Sequence, residues 1–437
     1  MIEASWNRRV WRLAGPIMLA NITIPLLGAV DTAVVGHLDQ VYYLGAVAVG
    51  SLIFNFLYWG FGFLRMGTTG FAAQAHGADD TVEAVDTLWR AMVIAVLIGV
   101  GLLITQGLII AGAMAIMDAS ANVDAHTRAY FAIRIWSAPA ALANYVVLGW
   151  FLGMQNARAG LIIQVFINVI NIVLDVLFVV GMGMAVEGVA IATVIAEYGG
   201  LALGAFMVHR ALGRLGGESI DWRRVLDPAR MGHMIAINRD IFLRTLCLIT
   251  AFAYLTIQSA RLGDVILAAN AVLLNMVTFM AYALDGFANA AQALVGRAVG
   301  EGSRSDYRGV VKASTVWALG FAVAFSLVYA ATGSLIIDGL TGLEDVRAAA
   351  RLALPWMILA PLVSVWGYQL DGIFIGAMQT LEMRNAMVLS LIVYLIAVEV
   401  FRPMYGNHGI WLGFTLFMVA RGLTLGYYFP RIEKRIA

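Results

Sequence analysis

Gln164, Asn168, Asn171 and Asp175 follow one another at spacings of 4, 3 and 4 residues inside an apolar run. At helical pitch those spacings place all four on one stripe, ending in a carboxylate. Asp31 is a second isolated acid: in LLGAVDTAVVG (26–36) the nearest Arg or Lys residues are Arg12 and Arg65. A third stripe reads Asn275, Thr278, Tyr282, Asp285, Asn289 and Gln292, at spacings of 3, 4, 3, 4 and 3. Amides in register can bond neighbouring helices or line a wet cavity. A buried carboxylate can also gain and lose a proton. An intramembrane charge costs roughly 2.5–3.5 kcal/mol on insertion scales, so each acid needs a partner or a task. Asp371 and Glu399 are further candidates, Glu399 as a solvated rim group. Thr193 and Glu197 form an i,i+4 pair that suits packing as well as function.

The elements that carry these residues are transmembrane. Apolar residues are 61% of the 437 and charged ones 13%, with a mean hydropathy of +0.84; soluble domains are about half apolar and a quarter charged. Apolar runs predict an all-α integral membrane fold of twelve helices, near 11–35, 44–74, 88–117, 129–154, 160–184, 188–209, 232–260, 265–296, 310–337, 349–377, 385–402 and 409–429. The polar start MIEASWNRR, with no small-residue cleavage site after the first run, predicts no removed signal peptide. Alternate connections starting with the N-terminus carry eighteen Arg and Lys against five in the others. Both termini are therefore expected in the cytoplasm. The hydrophilic stretch 210–231 reads as a cytoplasmic linker between a lobe at 1–209 and a lobe at 232–437.

The halves repeat. LGAVAV (44–49) matches LAANAV (267–272), and Gly77 matches Gly300, both at an offset of 223. LGWFLGMQ (148–155) matches LDGIFIGAMQ (370–379), and EGVA…GGLALG (187–204) matches HGIW…RGLTLG (408–426) at 221 to 222. Six helices is an even number, so the copies share one orientation and a pseudo-two-fold axis along the membrane normal is expected. Glu399 occupies the repeat position of Asp175, and the repeat position of Asp31 falls near Tyr254–Thr256. The motifs GxxxG at Gly149–Gly153 and Gly372–Gly376 predict close helix packing. Pro16 and Pro25 are expected to interrupt the first helix. Arg65, Arg134, Arg239 and Arg244 are expected to snorkel or pair with acids.

Several classes are excluded. There is no GxxxxGK followed by Ser or Thr, no HExxH, no CxxC and no GxGxxG, so ATP, zinc and dinucleotide chemistry lack a motif. The lone Cys247 excludes disulfides, and a net charge of +1 with no basic patch gives no support for nucleic acid. No nucleophile–base cluster points to an enzyme. Without ATP chemistry, transport energy would come from an ion gradient, with Asp31 as leading coupling group.

The Asp31 helix, RMGTTGFAAQAHG (65–77), NIVLD (171–175), NRDIFLRT (238–245), AYALDGFA (281–288) and QLDGIFIGAMQ (369–379) together resemble the multidrug and toxic compound extrusion transporters, above all their DNA-damage-inducible F branch. The resemblance runs almost end to end. It implies two six-helix lobes and export of drug-like, often cationic compounds against inward H⁺ or Na⁺, in a bacterial cytoplasmic membrane. It maps the first-helix acid to Asp31, the fifth-helix Asn-x-x-x-Asp to Asn171 and Asp175, the sixth-helix hydroxyl to Thr193, and the proline linked to bending to Pro16. The second-lobe acid pair of the Na⁺-driven branch is not cleanly reproduced. Asp31 and Asp175, brought together, would share one proton. With Asn171 and Thr193 they could equally cage Na⁺, so no metal is expected beyond a possible Na⁺ at Asp31, Asn171, Asp175 and Thr193. H⁺ is the expected ion, and no other cofactor is expected. Gln164, Asn168, Tyr282, Asp285, Asn289 and Asp371 are expected to line the substrate cavity of a monomer. A lipid-linked saccharide flippase would need a cationic cavity, and a scaffold or channel would not need isolated acids.

Overall fold

The computed structural model describes residues 2–35, 41–117, 120–216 and 220–436; side chains at 2–4, 24–27, 29, 31, 32, 35 and 41 lie outside it. No strand occurs among the described residues. The described residues form twelve long helices: α1 (Ile2–Val35), α2 (Tyr42–Gly77), α3 (Thr81–Met117), α4 (Ala121–Gly153), α5 (Ala157–Gly181), α6 (Val186–Arg214), α7 (Pro228–Ala260), α8 (Asp264–Gly300), α9 (Arg304–Leu340), α10 (Glu344–Gly376), α11 (Thr380–Tyr405) and α12 (Asn407–Arg435). Eleven of them, α2 to α12, contain a window apolar enough to cross a bilayer, and α1 is 34 residues long. Within lipid only helices and closed barrels satisfy every backbone group internally. The helices overrun the apolar runs at many ends, as in the 37 residues of α3, because continuing the backbone ladder costs less than ending it. The connection 210–231 is correspondingly mostly helical: α6 continues to Arg214, a short helix spans Trp222–Val225, and α7 begins at Pro228.

One expectation fails. Pro16 and Pro25 do not break α1, which is helical from Ile2 to Val35. Transmembrane helices tolerate proline because neighbouring groups re-satisfy the freed carbonyl.

The chain folds as two compact units, Leu19–Ile235 (the first unit) and Met1–Met18 with Ala236–Ala437 (the second). α1 therefore passes from one unit to the other between Met18 and Leu19, beside Pro16, and α7 does so between Ile235 and Ala236.

Each unit is built on the same frame. In the first, α4 presses its glycines on α2: a Cβ at Gly149 would lie 2.4 Å from the Arg65 carbonyl oxygen, and one at Gly153 would lie 2.7 Å from that of Thr69. In the second, α10 does the same to α8. The corresponding approaches are 2.2 Å from Gly372 to Ala288 and 2.4 Å from Gly376 to Gln292. All four pairs map onto each other at an offset of 223. Only a residue without a side chain permits such backbone contact. The turns repeat as well. Asp79 and Gly302 are left-handed at φ 53° and 63°, and Gln155 and Met378 both at 57°. Each is followed by a turn-closing bond, Asp80 N to Ala75 O and Ser303 N to Ala298 O at 2.9 Å, Asn156 N to Phe151 O at 2.8 Å and Gln379 N to Phe374 O at 2.9 Å.

Candidate functional site

The stripe on α5 is the polar heart of the first unit. Asn168, Asn171 and Asp175 are 4%, 2% and 0% exposed. Gln164 Nε2 donates to Asn168 Oδ1 at 3.1 Å, and Asn168 Nδ2 donates to Thr23 Oγ1 on α1 at 2.6 Å. Asn171 works on the α6 side. In the amide orientation that satisfies both neighbours, its nitrogen donates to Asp175 Oδ2 at 3.1 Å, and its oxygen accepts from Thr193 Oγ1 at 3.2 Å and Thr193 N at 3.1 Å. Thr193 Oγ1 also stands 3.0 Å from Val189 O. Directly after Asp175 the α5 backbone loosens into a π-turn over Val176–Gly181, a distortion common at functional positions. Asn171, Asp175 and Thr193 are thus brought together. Asp31 lies on α1, and its side chain is outside the described residues. Pro16 is half-buried on α1.

A second polar layer in this unit was only partly readable. Asn144 Nδ2 on α4 donates to Glu197 Oε2 at 2.8 Å and to the Glu197 carbonyl at 3.0 Å. Arg134 donates to Ser51 Oγ at 3.2 Å and to the Tyr130 hydroxyl, with its guanidinium 4.7 Å from the Phe54 ring centroid. Hydroxyls and a ring face thus share in holding the Arg134 charge.

The second unit is different in chemistry. Asp371, expected to line a cavity, is 4% exposed and closed in by Arg244 on α7 and Arg421 on α12, both of which donate to Oδ2. Arg421 is wholly buried, with its guanidinium 5.7 Å from the Tyr368 ring centroid and packed against Gly367. Sequence reasoning missed Arg421, although an arginine in the apolar run IWLGFTLFMVARGLTLG was a visible signal. The α8 face is graded in depth: Asn275 and Thr278 are exposed, Tyr282 and Asp285 half-buried, and Asn289 and Gln292 buried. Asn289 Nδ2 donates to the Asp285 carbonyl at 2.8 Å. Glu399 is exposed and accepts from the Tyr254 hydroxyl and, at 3.1 Å, from Gln258 Nε2, with Arg402 at 3.9 Å.

The MatE family model matches this chain twice, over residues 16–177 and 241–400, once in each half. The chain belongs to the MatE family. Among its relatives, DNA damage-inducible protein F of Escherichia coli (strain K12) is 43% identical over 98% of this chain and 93% of its own length. Multidrug resistance protein MdtK of Edwardsiella ictaluri is 26% identical over 98% and 96%. Two solved MatE relatives share the fold. A MATE transporter in its bent conformation gives a TM-score of 0.89 at 19% identity, over 99% of this chain and 97% of that one. The Vibrio cholerae MATE transporter VcmN in its bent form gives 0.87 at 20% identity, over 100% and 98%. Family membership makes this MatE protein a multi-pass membrane transporter of the drug-efflux type rather than an enzyme.

Proposed function

We propose that this protein is a secondary antiporter of the cytoplasmic membrane, with both termini cytoplasmic, that exports drug-like, often cationic compounds in exchange for entering H⁺. Coupling runs through Asp31, Asn171, Asp175 and Thr193. The observation that carries this is the amide bridge from Asp175 to Thr193. Asn171 can donate to a carboxylate or, turned over, accept from a carboxyl O–H, so a proton can come and go at Asp175 with Asn171 bonded to it in either state. A carboxylate clasped by guanidiniums, like Asp371, has no such freedom, and in this reading it is an anchor. The repeat adds support for joining Asp31 to Asp175. Their counterparts Tyr254 and Glu399 are hydrogen-bonded to each other in the second unit.

Loading the pair from outside removes charge, lets α1 bend at Pro16 and withdraws the polar stripe that includes Gln164 and Asn168 from substrate. Release to the cytoplasm restores both. Proton and substrate then compete, the linkage antiport requires. Tyr282, Asp285 and Asn289 supply a ring, a carboxylate and an amide suited to a cationic substrate. The oxygens of Asp175, Asn171 and Thr193 would also suit Na⁺, which is the competing reading.

In everted vesicles, Asp31→Asn should abolish proton-driven efflux while the protein still inserts. Pro16→Ala should slow efflux several-fold with substrate binding retained. Unchanged efflux in Asp31→Asn would refute the coupling role.

A further inference from the structure

Glu197 is a carboxyl of the first unit that the coupling set does not use. Glu197 lies four residues beyond Thr193 on α6, about 6 Å along the same helix face. Asn144, 2% exposed, gives both its described bonds through Nδ2 to Glu197. Among the described residues the buried Asn144 Oδ1 has no hydrogen-bond partner. Gly200 of α6 lies beside this amide and is packed by Ile167 of α5: a Cβ there would lie 2.3 Å from Ile167 Cγ1 and 3.4 Å from Asn144 Nδ2.

Groups on α2 and α4 act on the Glu197 carboxyl, and α5 brings its own polar groups one turn away. α2 presents Tyr58, whose hydroxyl is 3.0 Å from Ser137 Oγ. α4 presents Asn144, Arg134 and Tyr145, and Arg65 of α2 acts electrostatically on Tyr145. α5 presents Asn171 and Asp175 at the level of Thr193. The carboxyl therefore sits among hydroxyls and an amide, with a guanidinium already held by Ser51 and Tyr130.

We infer that Glu197 is a second proton-binding site of the first unit, released by substrate together with the Asp31–Asp175 proton. In the charged state the carboxylate accepts from Asn144 Nδ2. On protonation a carboxyl O–H bond forms with a proton from water, and this O–H is the donor that Asn144 Oδ1 otherwise lacks. Thr193, one turn away, bonds to Asn171 and so ties this pair to the first site. The inference rests on the proton-coupled reading above.

The test measures protons released per ethidium bound to the purified full chain, in weakly buffered Na⁺-free detergent solution. Glu197→Gln should release about half of the wild-type protons, Asp175→Asn likewise about half, and the double variant none. Glu197→Asp should restore release with a displaced pH midpoint, which a packing role would not do. Should Glu197→Gln fail to stay monodisperse, Asn144→Ala takes its place. It should shift the pH midpoint of half the release, and an unmoved midpoint overturns the inference. Full release from Glu197→Gln with reduced release from Asp175→Asn overturns the Glu197 site alone. No release from wild type overturns it together with the reading beneath it.

Discussion

The two halves of this transporter share a frame and differ in what they bury. The glycine contacts of α4 on α2 and of α10 on α8 recur at an offset of 223, as do the left-handed turn residues. Their polar cores do not. The second unit buries Asp371 between two arginines, whereas the same repeat position in the first unit is Leu148. Arg244 corresponds to Asn21, and Arg421 to Gly199 at an offset of 222. The first unit instead chains amides and hydroxyls from Thr23 through Asn168, and from Asn171 to Asp175 and Thr193. One scaffold thus carries a buried charge lock in one copy and a network of amide and hydroxyl hydrogen bonds in the other. The lesson is that acids found by spacing alone fall into two classes, and the partner decides which.

The largest test of that contrast is stability. Asp371→Ala leaves two buried guanidiniums without their counter-ion, and breaking a buried pair in this way costs about 3–5 kcal/mol. The thermal unfolding midpoint in detergent should fall steeply, whereas Asp175→Asn should leave it near the wild-type value. Equal midpoints would erase the distinction. A smaller effect sharpens the similarity. Gly149→Ala and Gly372→Ala each push a methyl on a facing carbonyl, an overpacking cost of about 1–3 kcal/mol. The two should lower the midpoint alike, and a loss confined to one half would show that the frame is not shared energetically.

Much of this was legible in the sequence because it is local or periodic. The stripe from Gln164 to Asp175 follows from spacing within one helix, and the glycine contacts follow from GxxxG and the repeat. The Arg421–Asp371 and Arg244–Asp371 pairs were not legible, since 50 and 127 residues separate the partners and no local pattern links them. Asn144 and Glu197, 53 residues apart, escaped for the same reason. The continuity of α1 through Pro16 and Pro25 was hidden because local rules assign a break there, whereas the helix runs unbroken from Ile2 to Val35.

Asp175, bonded to the Asn171 amide, is proposed to exchange a proton with substrate. Substrate-induced proton release from the purified protein, with and without Na⁺, tests it most directly. The account predicts release that is independent of Na⁺ and at least halved in Asp175→Asn. Release that needs Na⁺, or that Asp175→Asn leaves untouched, would contradict it.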